Sequence, residues 1–375
     1  AILNLPSFFR FPLAKLISKK RAPIAKKIYE EIGGSSPILK LTNEQSDELE
    51  KKLNQSQIDD EYKCFVVMRC WHPRASEVIK DVKLYSPEEI ILLPLYPQYS
   101  AATSGSSIKE WNDICKKNNY NIKTSTICCY PTDKNFIKAH TKEIINKIKN
   151  LKNFKLIFSA HGLPEKNIKK GDPYQWQIEQ SVKMIVANLN IDNLDWILSY
   201  QSRVGPLKWI GPSTDDVIVE NSKIGKHVVL VPIAFVSEHS ETLVELDIEY
   251  KKLANDNGCK EYTRVPALGI NEDFIKAMSE LILKKGVVSS EVAEAMALGV
   301  KDRFNSNYGI ATTGNAGPTL SDDISKIGVV YIAISGPNGV FSECYQMGNH
   351  RERVINKTTN KALEMLYRLI KSDQL

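Results

Sequence analysis

Short apolar runs alternate along most of this chain with longer stretches whose apolar positions recur every three or four residues. The runs Cys64–Met68, Glu89–Leu93, Asn121–Thr126, Lys155–Ser159, Trp196–Tyr200 and His227–Pro232 predict strands, and amphipathic helices fill the gaps. Pro23–Ile32 reads as one such helix, ended by Gly33-Gly34. Strand, helix, strand repeated over this length predicts an α/β fold with parallel sheets. The pattern occurs before and after Tyr130-Pro131, so two similar lobes facing a cleft are expected, with ligands at the carboxyl ends of the strands. Near Leu283–Gly286 the texture changes. A helix from Ser289, a strand Tyr308–Thr312 entering a Gly-rich loop, strands around Val329–Ile334 and Val340–Gln346, and a last helix from Arg351 follow. The expected division is therefore residues 1–130, residues 131–284 and a small α/β unit at 285–375.

Composition narrows the function classes. With 375 residues, 42% hydrophobic and 25% charged, the chain is neither disordered nor collagen-like. The net charge of +6 is local. Residues 1–40 hold eight basic side chains, Arg10, Lys15, Lys19, Lys20, Arg21, Lys26, Lys27 and Lys40, against Glu30 and Glu31, and the rest of the chain balances to zero. A nucleic-acid binder would need a basic face over a whole domain and is not expected. One basic, apolar end points instead to an anionic surface. Seven scattered cysteines without a CxxC pair indicate reduced thiols in place of a disulfide framework or zinc ribbon.

The chemistry gathers in a few segments. In SEHSETLVELDIEY, Glu238, Glu241, Glu245 and Glu249 are three, four and four residues apart. On an α-helix they fall within an arc of roughly 80°. Such a ladder repels itself unless a cation or protons pass along it; the alternative is a solvated acidic face. It directly follows the run VVLVPIAFV, hence the end of a strand. His161, in FSAHGLP, ends another strand before a turn and reads as a proton acceptor or metal ligand in the cleft. N/O ligands without thiolates suit Fe(II) or Zn(II) held loosely enough to be passed on. YPQYSAATSGSS (Tyr96–Ser107) offers hydroxyls and N–H groups as an anion cradle. GDPYQWQ (Gly171–Gln177) reads as a shaped loop or as simple turn chemistry. YQSRVGPLKW (Tyr200–Trp209), with Arg203 and Lys208, can hold a flat acidic ligand or is a packed loop.

Together with RAPIAKKIYEEIGGSSP, these segments resemble the ferrochelatase family in order and spacing, from Ala1 to about Lys284. The resemblance implies two Rossmann-like lobes around a porphyrin and insertion of Fe(II) into protoporphyrin IX to give protohaem. It implies that His161 and Glu241 face each other at the porphyrin centre, that Glu238, Glu245 and Glu249 extend an acidic path, and that Arg21, Tyr29 and Ser36 lie near the porphyrin's edge. Iron is then a substrate and not a cofactor. With His140 near the mid-chain position where some relatives carry a cluster cysteine, and only Cys344 in the tail, no iron–sulphur cluster is expected. The lip PSFFRFPLAKLISKKR, with Phe8, Phe9, Phe11, Leu13, Leu16 and Ile17 among its cations, implies a cytoplasmic protein in peripheral contact with an anionic membrane. The family's opening strand, with its NLGGP-like motif, has no counterpart in these residues, so the first lobe is expected to lack its first strand.

The tail segments GVVSSEVAEAMALGV, YGIATTGNAGP, IGVVYIAISGPNGV and NHRERVINKTTNKALEMLYRLI resemble the C-terminal domain of the CinA family, whose active members deamidate nicotinamide mononucleotide. The first half of that domain is missing; Thr312, Thr313, Gly314 and Arg351 are what remains of a nucleotide pocket. Two further readings therefore stand beside the chelatase: a nicotinamide-nucleotide amidohydrolase, and a non-catalytic porphyrin or haem carrier.

Overall fold

In the computed structural model the described residues are 7–55, 60–203, 207–283, 290–317 and 326–373. The chain runs α1 (Ser7–Glu30), α2 (Ile38–Asn54), α3 (Ala75–Tyr85), β1 (Glu89–Leu92), α4 (Ser104–Lys117), β2 (Lys123–Thr126), α5 (Lys134–Ile148) and β3 (Phe154–His161). It continues with α6 (Glu165–Lys169), α7 (Tyr174–Leu189), β4 (Trp196–Gln201), α8 (Thr214–Lys223), β5 (His227–Pro232), a π-helix (Glu241–Glu249), α9 (Tyr250–Asp256), β6 (Tyr262–Arg264) and α10 (Glu272–Leu283). Last come α11 (Ser290–Arg303), β7 (Gly309–Gly314), β8 (Val329–Gly336), β9 (Gly339–Gln346) and α12 (Arg351–Asp373). The fold is α/β. The segments form two compact units: residues 1–88, 92–122 and 128–280 in one, and residues 89–91, 123–127 and 281–375 in the other.

In the larger unit the strand order is β4-β3-β5-β6, and all three pairings are parallel. All six residues of β5 are buried, as expected of a strand covered on both faces. Ile157, Val228 and Leu230 of the sheet pack with Val217 and Ile218 of α8, Leu246 of the π-helix and Tyr250 and Ala254 of α9. This layer fixes where the acidic segment begins. Gln45 of α2 fixes it further: its Nε2 donates to the carbonyls of Val236 (3.0 Å) and Gly269 (2.8 Å), and its Oε1 accepts from Ser237 Oγ (2.7 Å).

Three sequence expectations are corrected. Cys64–Met68 is not a strand: the Cys64 N–H donates to a Glu50 carboxylate oxygen (2.8 Å) and the Met68 N–H to the Pro73 carbonyl (2.8 Å), so side-chain and turn bonds replace a ladder. The glutamate segment is π-helical and not α-helical; the Tyr250 N–H, for instance, reaches back five residues to the Glu245 carbonyl. The strand Tyr262–Arg264 closes the sheet where the sequence reading had none.

In the smaller unit β1 pairs with β2, and β7-β8-β9 form an antiparallel sheet. Val330, Ile332 and Ile334 of β8 pack with Met347 and with Val354, Ala362 and Met365 of α12. Gly314 has no room for a side chain: a Cβ there would lie 2.6 Å from Val330 Cγ2 and 2.8 Å from the Val329 carbonyl oxygen. Among the described residues no helix is long and apolar enough to cross a membrane.

Candidate active site

His161 is the last residue of β3, in register with Gln201 at the end of β4, so two parallel strands present both side chains at their carboxyl ends. The next residue must be small. A Cβ on Gly162 would meet the Gln201 carbonyl oxygen at 2.9 Å and the Trp209 ring at 3.2 Å. The Glu165 N–H donates to the Lys208 carbonyl (2.9 Å) and the Ile210 N–H to that of Leu163 (3.0 Å), which fastens the loop after His161 to the loop after β4.

His161 Nδ1 lies 2.7 Å from the Gly162 carbonyl oxygen. A carbonyl only accepts, so Nδ1 carries the proton and Nε2 keeps its lone pair in the neutral ring. Nε2 points at Glu241, 4.0 Å from Oε2. That Oε2 is buried and receives no hydrogen bond. Tyr174, buried at the start of α7, braces the strand end by donating its hydroxyl to the His161 carbonyl (3.0 Å). Burial and the Glu241 charge push its phenol above the usual range.

The other glutamates have different surroundings. Glu245 accepts from the Ser202 N–H (3.1 Å), Ser202 Oγ (2.6 Å), Gln201 Nε2 (3.3 Å) and the Tyr250 hydroxyl (3.1 Å). Burial, reinforced by the Glu241 charge, pushes Glu245 above the usual carboxylate range, against the Ser202 hydrogen bonds. Glu249 is exposed. Glu238 turns away, accepting from Arg264 Nη1 (2.8 Å) and the Ala267 N–H (2.9 Å). The same guanidinium grips Asp247 through Nε (2.6 Å) and Nη2 (2.7 Å). The structure thus brings Glu241 to His161, joins Glu245 to the β4 end, and separates Glu238 and Glu249 from them.

His239 was missed by sequence reasoning, although it stands inside SEHSE. It is half-buried, with Nδ1 3.2 Å from the Ser237 carbonyl oxygen and its ring 4.7 Å from that of Phe235. Burial holds it below the usual imidazole range, with the Glu241 charge acting upward and His161 downward, so it shares their field. A cavity of about 610 Å³ is lined by Ser202, Arg203, Leu207, Lys208, Trp209, Asp215 and Glu245. Its two cations are already matched, Arg203 with Asp216 (3.6 Å) and Lys208 with Glu165 (3.0 Å).

The presumed anion cradle is filled from within. Asp172 Oδ2 accepts from Ser100 Oγ (2.8 Å) and the Ala101 N–H (2.9 Å), and Gln177 Oε1 accepts from the Tyr99 N–H (2.6 Å). Tyr29 and Ser36 stand half-buried at the end of α1 and ahead of α2, engaged locally: the Tyr29 carbonyl accepts from the Gly34 N–H (2.7 Å), and Ser36 Oγ from the Ile38 N–H (3.4 Å). The Arg21 side chain, and those of the aromatic lip at residues 7–14, lie outside the described residues. In the tail, Thr312, Thr313 and Gly314 end β7, and Arg351 Nη1 donates to the Gly317 carbonyl (2.9 Å).

A family model for ferrochelatase matches residues 1–286. The chain belongs to the ferrochelatase family. Ferrochelatases are lyases of haem formation, acting on porphyrin and iron. The ferrochelatase of Pelagibacter ubique strain HTCC1062 is 82% identical over 285 residues, covering 76% of this chain and 83% of its own. That of Rickettsia felis is 50% identical over 285 residues, covering 76% and 81%. SirB from Bacillus subtilis with Fe3+ superposes with a TM-score of 0.50 at 13% identity, over 67% of this chain and 91% of its own, a likeness of fold. A CinA C-terminal domain model matches residues 267–370, overlapping the ferrochelatase match across α10.

Proposed function

We propose that the chain inserts Fe(II) into protoporphyrin IX to form protohaem, with His161 and Glu241 flanking the point of metal entry. The observation that carries this reading is the free Nε2 of His161 facing the unbonded Oε2 of Glu241. As iron enters, two pyrrole N–H protons must leave. A neutral imidazole accepts one without first losing its own, and Glu241 offers a second acceptor. Glu245, raised by burial, holds a proton closer to neutrality than an exposed carboxylate does. It stands between Glu241 and the exposed Glu249, an order suited to passing protons outward or Fe(II) inward. Glu238, engaged by Arg264, shapes the start of this path and does not carry ions along it. Distortion of the macrocycle, which turns its nitrogen lone pairs toward the metal, draws on binding energy elsewhere on the ring. Arg21, Tyr29 and Ser36 meet the porphyrin edge, the basic first helix meets an anionic membrane from the cytoplasm, and no iron–sulphur cluster takes part.

Mixing the chain with protoporphyrin IX and then Fe(II) under anaerobic conditions tests this. Porphyrin fluorescence is expected to be quenched on binding, and the protohaem spectrum to grow only when iron is added. Quenching without metallation would make the chain a carrier instead.

A further inference from the structure

Cys128 and Cys129 follow β2 as consecutive residues, and neither belongs to the metal-insertion geometry described above. Cys128 is exposed and Cys129 half-buried, and their Sγ atoms lie 3.3 Å apart, one thiol donating to the other. Cys129 Sγ also accepts from Gln177 Nε2 (3.4 Å), and the next residue is pinned by the Tyr130 N–H donating to the Pro97 carbonyl (2.8 Å).

We propose that Cys128 and Cys129 form a dithiol chelate for soft, thiophilic ions, with trivalent arsenic as the best-matched member of the class. The two sulfurs already converge on one side of the backbone, so binding requires little loss of side-chain freedom. Direct oxidation to a disulfide suits the pair less. Adjacent Cα atoms are about 3.8 Å apart across a trans peptide, below the roughly 4.4 Å at which unstrained disulfides begin. An ion inserted between the sulfurs keeps them further apart than a bond would and avoids that strain. Soft ligands select soft ions, so Fe(II) and Mg(II) are poor competitors. The hydrogen bond from Cys129 draws the Cys128 thiol down to about 7, so a substantial fraction is thiolate at neutral pH. Binding displaces the proton held between the sulfurs together with any that remains on the second thiol. With an arsenoxide, both S–H bonds break, two As–S bonds form, and the arsenoxide oxygen leaves with the two protons as water; no electrons are transferred.

The test is intact-mass analysis of the full chain treated with phenylarsine oxide in a large excess of a monothiol, which strips singly held arsenic. The wild type is expected to retain one phenylarsenic, added with loss of one water, and to release it to ethanedithiol. Cys128→Ser and Cys129→Ser should each lose the adduct, while Cys70→Ser keeps it. Absence of the adduct from the wild type, or its retention by either Cys128→Ser or Cys129→Ser, overturns the proposal. Far-ultraviolet circular dichroism confirms that each variant is folded before its mass is read.

Discussion

Both ring nitrogens of His140 are buried without a hydrogen-bond partner, and the ring packs edge-on against Phe136 at 4.8 Å. Burial pushes this imidazole from 6.5 down to about 3. The folded chain therefore keeps His140 neutral where the unfolded chain already binds a proton. As pH falls from about 6.5 toward 3, each pH unit removes about 1.4 kcal/mol of stability through this one group. Above 6.5 both states are neutral and the term vanishes. His140→Leu is expected to leave stability at pH 7.5 within about 1 kcal/mol, because the buried polar atoms that disappear had no partners. Between pH 6 and 4 it should flatten the decline. Urea unfolding across that range is the check, and an unchanged slope would mean that His140 is protonated in the native state. His161 differs by one contact: its Nδ1 donates to the Gly162 carbonyl, which in the neutral ring leaves the Nε2 lone pair directed at Glu241.

At the scale of elements, the acidic segment is organised by a cation that its own spacing does not reveal. Arg264, on the short strand β6, holds Glu238 before the π-helix and Asp247 within it. Burial alone would raise Glu238, but Arg264 and the Ala267 N–H outweigh it and hold the group below the usual carboxylate range. Arg264→Met leaves two carboxylates facing each other without their counter-ion. It should cost about 3 kcal/mol at pH 7, read from the urea midpoint. The cost should shrink as acid protonates Glu238; a loss under about 0.5 kcal/mol would show the clamp to be solvent-screened. This also marks what the sequence could carry. The buried run His227–Pro232 was legible to the residue, because an unbroken apolar stretch has few alternatives to a central parallel strand. Likewise a histidine in FSAHGLP facing the glutamates of SEHSETLVELDIEY was legible, since both stand at the carboxyl ends of strands of one sheet, whereas the choice of Glu241 among them came from the ferrochelatase resemblance. The π winding, the Arg264 clamp and the filling of the Tyr99–Ala101 cradle by Asp172 and Gln177 could not. Each depends on a partner tens of residues away or on a backbone form with no periodic signature.

At the scale of the molecule, the two units have separate hydrophobic clusters, one around Leu230 and Leu246, the other around Ile332 and Met365. Ile332 of β8 is fully buried in the cluster it shares with α12, so Ile332→Ala should destabilise the tail by about 2–5 kcal/mol. Hydrogen exchange should then rise in residues 326–373 and stay unchanged in β3, β4 and β5, with metallation preserved. Loss of metallation would tie the CinA-like unit to the chelatase chemistry. The proposed metal insertion rests on one arrangement, the His161 imidazole facing the Glu241 carboxylate at 4.0 Å. Its most direct test is steady-state Fe(II) insertion by His161→Ala and Glu241→Ala, with protoporphyrin affinity followed in parallel by fluorescence quenching. The expected result is a fall in kcat of at least about 100-fold in each variant while porphyrin affinity stays within about threefold. Near-normal turnover in either variant would contradict it.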